Sequence, residues 1–101
     1  MSVRQGQQLV QELKERYEKD WERDGISILF MDAKQGYIES ALVQAVDVPP
    51  NYGLYIGEDL LERILEYLKR DAPSEAEDLE DYVKEFYPDF AKRYYGQGSA
   101  A

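Results

Sequence analysis

Apolar residues recur at helical spacing near the start of the chain, at Leu9, Val10, Leu13, Tyr17 and Trp21, with charges filling the gaps. That spacing predicts a helix over about 7–23. Gly25 suits its C-terminus, because glycine takes a left-handed backbone without steric penalty. The opposite face mixes Glu12, Glu15, Glu18 and Glu22 with Lys14, Arg16, Lys19 and Arg23. Glu12–Arg16 and Glu15–Lys19 attract at a spacing of four, and Glu18–Glu22 repel, so this face reads as nearly neutral solvated surface.

The pattern then changes. Ile26-Ser27-Ile28-Leu29-Phe30-Met31 is short, β-branched at its start and aromatic near its end, and reads as a strand with Ile26, Ile28 and Phe30 on one side. Asp32-Ala33-Lys34-Gln35-Gly36 supplies turn chemistry. From Tyr37 to Val46 two periods compete. Tyr37, Ile38, Ala41, Leu42, Ala45 and Val46 fit a helix, while Ile38, Leu42 and Val46 also fall on one face of a strand. A lone strand cannot satisfy its own backbone, so the first strand calls for a partner after the turn, and a hairpin is expected.

Pro49-Pro50-Asn51-Tyr52-Gly53 is a break, and Leu54-Tyr55-Ile56 is open as a brief third strand. Gly57 then opens a helix through Arg70, with Glu58 and Asp59 in its first turn and Lys69 and Arg70 in its last, as the helix dipole favours. Leu61, Ile64, Leu65 and Leu68 form its apolar stripe, and Pro73 ends it. Ser74-Glu75-Ala76-Glu77 has the form of a capping box for a further helix carrying Leu79, Tyr82, Val83 and Phe86 on one face. Pro88 suits the first position of a last short helix with Phe90, Ala91 and Tyr94, closed by Gly96. The predicted fold class is α+β: a long N-terminal helix, a β-hairpin with a short third strand open, and two to three C-terminal helices. The alternative is an all-α bundle. Residues 1–96 are expected to form a single compact domain, and 97–101 a disordered tail.

Composition narrows the chemistry. With 101 residues the chain has room for one core, and its 44% hydrophobic content is enough to fill it. Cysteine and histidine are both absent. That removes disulfides, thiolate metal sites, the cysteine nucleophile and the commonest general base, and it fits a reducing compartment. The opening residues Met1-Ser2-Val3-Arg4-Gln5 lack the apolar run of a signal peptide, and no stretch is long enough to span a membrane. A cytoplasmic protein is expected. There is no glycine-rich phosphate loop and no Gly-x-Ser-x-Gly elbow. Among 21 acidic residues, carboxylate pairs arise by chance, so they carry no catalytic signal. Glu77, Asp78 and Asp81 offer oxygens to Mg²⁺ or Ca²⁺, but a dedicated site needs more that converge. No enzyme, metal or cofactor is expected.

Net charge is −9, and its distribution is uneven. Residues 71–89 hold eight acids (Asp71, Glu75, Glu77, Asp78, Glu80, Asp81, Glu85 and Asp89) against the single base Lys84. Such charge opposes contact with nucleic acid or anionic membrane and favours a basic protein surface. Glu77, Asp81 and Glu85 repeat every four residues, so a helix would set them in a row some ~5–6 Å apart. The plain reading is a solvated helix face; the functional reading is a docking surface that mimics a nucleic-acid backbone. Tyrosine adds to the second, with nine in the chain. Tyr82, Phe86 and Phe90 read as core, while Tyr87, Tyr94 and Tyr95 cannot all face inward together. The expected partner-binding set is Glu77, Asp78, Glu80, Asp81, Glu85, Tyr87, Tyr94 and Tyr95. The expected function is a small acidic, non-catalytic inhibitor or regulator that docks on a basic, nucleic-acid-binding type of surface of another protein. The alternative is a housekeeping adaptor or subunit, or a homodimer, joined through exposed aromatics.

Overall fold

Leu9, Leu13 and Trp21 form the buried stripe that makes the first segment a helix, α1 (Ser2–Glu22). The computed structural model describes residues 2–96, with side chains from residue 4 onward. The helix begins earlier than apolar spacing alone predicts, and Gly6 within it packs directly on its neighbours. A Cβ there would lie 2.6 Å from Ile38 Cγ2 and 2.7 Å from Tyr67 Oη. Gly25, at φ 73°, turns the chain after α1.

The expected hairpin is absent, and the α+β class is overturned. Among the described residues there is no strand. Ile26–Ile28 is a 3-10 turn that runs into α2 (Leu29–Lys34). Ile26, Leu29 and Phe30 are buried, whereas Ile28 is 61% and Met31 60% exposed. That is the period of a helix; alternation would have placed Ile28 beside Ile26. Asp32 to Gly36 is thus the end of a helix and not a hairpin turn. α3 (Ile38–Asp47) takes the second predicted strand. Its buried pairs Ala41–Leu42 and Ala45–Val46 recur four apart, and the two alanines let neighbouring helices approach closely.

Pro49–Tyr52 forms a second 3-10 turn, and Leu54 to Gly57 runs extended into α4 (Glu58–Asp71). With no sheet edge to join, this segment is not the third strand. Two phenols satisfy its backbone instead. The Ile56 N–H donates to Tyr87 Oη at 3.0 Å, and the Gly57 N–H donates to Tyr17 Oη at 2.7 Å. α5 (Pro73–Phe86) has Ala72 at its N-cap with no side-chain cap, so Ser74 is not the cap expected from the Ser-x-x-Glu pattern. Pro73 sets the start one residue earlier, since its fixed φ suits the first helical position and it has no N–H to leave unpaired. α6 (Pro88–Gly96) starts on a proline in the same way.

The packing order follows from these stripes. α1 lies against α3 and α4, and α5 lies against α3, α4 and α6. The resulting slab measures 42 × 33 × 19 Å, about two helices thick. Trp21 sits within it, stacked on Tyr17 and Phe30 with centroids 5.2 and 5.9 Å away. Every residue of the core is apolar or aromatic. The tail expected at 97–101 lies outside the described residues.

Candidate docking face

α5 buries Ala76, Leu79 and Val83. At 100° per residue, the direction opposite that stripe is occupied by Glu77, Asp81 and Glu85, with Asp78 beside them. All four are exposed. They form one strip along α5, and no ion pair or hydrogen bond among the described residues engages any of them.

The reason lies in where the cations go. Arg16 forks onto Asp59 at 3.0 and 3.2 Å and reaches Glu12 at 3.8 Å. Arg63 forks onto Glu12 at 2.9 and 2.5 Å. Arg93 pairs with Glu58, and Lys69 with Glu66 at 3.7 Å. The Arg63 bond holds the Glu12 carboxyl below the usual carboxylate range, and the Arg16 bond does the same for Asp59. α1 and α4 thus compensate each other, and no ion pair among the described residues joins α1 to α5.

Glu80 stands at one edge of the strip, half-buried and bonded to Lys84 at 2.9 Å. That bond keeps the Lys84 ammonium above its ordinary range. Lys84 also lies over the Tyr95 ring, 5.8 Å from its centroid. Tyr95 is half-buried, and burial pushes its phenol up to about 12. It borders the strip on the Glu80 side. Tyr94 belongs to the seam between α4 and α6, where its hydroxyl donates to Glu66 and its ring stacks on Phe90 beneath Lys69. Burial, and then the Glu66 bond, raise its pKa.

Tyr87 is not on the face at all. It is 7% exposed, its ring meets Tyr55 edge-on, and its hydroxyl is occupied by the Ile56 amide. Burial pushes that phenol up to about 12. The exposed aromatic of α5 is Tyr82, at 41%, stacked on Phe86. Reading Leu79, Tyr82, Val83 and Phe86 as one core stripe missed it. The signal was in the spacing: Tyr82 lies four residues from Asp78 and three from Glu85, so on a helix it adjoins the acids.

The structure therefore gathers Glu77, Asp78, Asp81 and Glu85, sets Glu80, Tyr95 and Tyr82 at the margins, and leaves Tyr94 and Tyr87 elsewhere. No described helix is long and apolar enough to cross a membrane. No family model, curated protein or solved structure matches the chain.

Proposed function

We propose that this chain is a small acidic, non-catalytic binding module, an inhibitor or regulator that lays the outer face of α5 on a basic surface of a partner protein. The observation that carries this reading is the strip of four exposed carboxylates, none in an ion pair among the described residues, with Lys84 bonded to Glu80 and acting on Asp81 only at longer range. Like charges one turn apart repel, so the row does not serve the helix that bears it. It generates a negative potential that steers a positive surface into contact.

The spacing suits a surface built for nucleic acid. Glu77, Asp81 and Glu85 advance by about 6 Å of helix axis per charge at ~1.5 Å per residue, the same order as the phosphate repeat of a nucleic-acid strand. A single DNA strand carries one phosphate per about 3.4 Å of axis. Tyr82 at the margin supplies an apolar contact with a polar tip. The absence of cysteine supports a reducing, cytoplasmic setting. The aromatic alternative has fewer anchors, since Tyr87 is buried and Tyr94 is hydrogen-bonded internally.

The test is affinity capture from lysate with the wild-type chain and with a Glu77→Gln, Asp81→Asn, Glu85→Gln variant. Basic partners are expected on the wild type at low salt and to be lost at high salt and in the variant. Partners held equally by both proteins at high salt would turn the reading toward aromatic association.

A further inference from the structure

Two stretches of the chain carry no charge. Residues 25–31 and 48–57 contain neither acid nor base, although 33% of the whole chain is charged. The fold brings both to one end of the molecule. α2 and α3 run antiparallel, joined by the short turn at 35–37 and tied by the Gln44 amide, which donates to Asp32 at 2.9 Å. The start of α2 and the 3-10 turn that follows α3 therefore share an end.

This end is not closed over. Ile28, Met31, Tyr52 and Tyr55 are 61%, 60%, 54% and 51% exposed, and they are four of the six exposed large hydrophobic side chains among the described residues. The backbone that presents the tyrosines is firmly held. Asn51 Nδ2 donates to the Asp47 carbonyl at 3.0 Å, and the Gly53 and Leu54 N–H groups donate to the Pro50 and Pro49 carbonyls at 3.0 and 3.1 Å. Tyr87 and Tyr17 fix the next two amides, and the Tyr55 ring stands edge-on to Tyr87 with centroids 5.5 Å apart. Side chains set on so fixed a loop lose little freedom when they meet a partner.

The make-up of this face is that of an interface centre, where tyrosine and methionine are enriched and charge is depleted. Four large side chains, each more than half exposed, match the ~300–600 Å² of the largest apolar patch on a typical monomer. Exposed Arg23, Asp24 and Asn51 adjoin the two runs and extend the face toward the ~800 Å² per partner of a stable contact. Charge selects the occupant. At −9, two copies of the chain repel over most of their surface, and least where charge is missing. Under a two-fold axis apolar residues meet apolar residues, and neighbouring Arg23 and Asp24 give each copy a charge of either sign to set against the other's rim.

We infer that this end of the fold is a two-fold contact between two copies of the chain. The inference goes beyond the docking reading and does not rest on it, because the carboxylates of α5 lie outside both uncharged runs.

The test is sedimentation velocity of the full chain, with no other protein present, over a wide concentration range at low and high salt. A reversible shift from monomer to dimer mass is expected, no weaker at high salt, since salt screens the mutual repulsion and leaves the apolar contact in place. Met31→Glu and Tyr52→Glu each place like charges opposite one another across the axis and should raise the dimer dissociation constant about tenfold or more. Glu77→Gln with Glu85→Gln should leave dimerisation intact, and far-UV circular dichroism reports that each variant is folded. A chain that stays monomeric at every concentration would overturn the assignment and leave the face to a different protein. A dimer that survives both Met31→Glu and Tyr52→Glu, or that is lost in the α5 variant, would place the contact elsewhere and overturn it as well.

Discussion

The α1–α4 seam and the outer face of α5 are both rich in carboxylates, yet they differ in what stands opposite them. At the seam, Glu12 and Asp59 meet the forks of Arg63 and Arg16 from the facing helix. On α5, Glu77, Asp78, Asp81 and Glu85 form no ion pair among the described residues, and the one lysine of the helix is bonded to Glu80 at the margin and acts on Asp81 only at longer range. Acid content alone would not separate these regions. The placement of cations by the fold does: it makes one set of charges structural and leaves the other available.

The strongest perturbation lies beneath the seam. Leu61 is fully buried on α4, and Leu61→Ala should lower unfolding free energy by about 2–5 kcal/mol in urea titration, through lost burial and a residual cavity. A smaller loss, of about 1 kcal/mol, is expected for Tyr17→Phe. That change removes the acceptor of the Gly57 N–H while keeping the ring stacked on Trp21. An unchanged midpoint would mean that the extended segment before α4 finds water instead.

The comparison itself is broken or sharpened by matched acid-to-amide changes. Glu12→Gln should destabilise by at most about 1 kcal/mol, since its two arginine partners are partly exposed. Glu77→Gln should cause no loss of stability. The Glu12 contribution also has a defined pH window. Its folded pKa is held below the ordinary value of 4.5, so the stabilisation is present above 4.5 and is lost as pH falls through the folded value. The difference between wild type and Glu12→Gln should therefore shrink on acidification below pH 4.5.

Asp47 has the opposite sign and the smallest effect. Its folded pKa is raised above 3.8, chiefly by burial, so its ionised form disfavours the native state at neutral pH. Asp47→Asn should stabilise by a few tenths of a kcal/mol at pH 7, as expected for relief of a helix-terminus charge. The gain should fade as pH falls through the raised folded value and be gone below 3.8, where the carboxyl is neutral in both states. A destabilised variant at pH 7 would show that the carboxylate has a partner in solution.

Much of the helical framework was legible in the sequence. The stripes of α1 and α4, the glycines at 25 and 57, and the proline that starts α6 have local causes that one sequence displays. The segments 26–31 and 37–46 were not legible in the same way. Short apolar runs satisfy two periods at once, and the choice was made by what they pack against. Ile28 and Met31 point outward because α2 follows α1 as a helix, a fact no local pattern encodes. The tyrosines failed for a related reason. Tyr87 is held inward by the Ile56 amide, 31 residues away, while Tyr82 sits on the outer side of α5. The acidic strip was the easier inference, because helical spacing alone sets Glu77, Asp81 and Glu85 in line.

The most direct measurement compares amide relaxation enhancement by a cationic and a neutral soluble paramagnetic probe along the chain. Uncompensated charge on α5 predicts that the cationic-to-neutral ratio peaks across residues 77–85, stays low around residues 12–16, and collapses in high salt. A ratio that is even across the molecule, or that peaks at the α1–α4 seam, would contradict it.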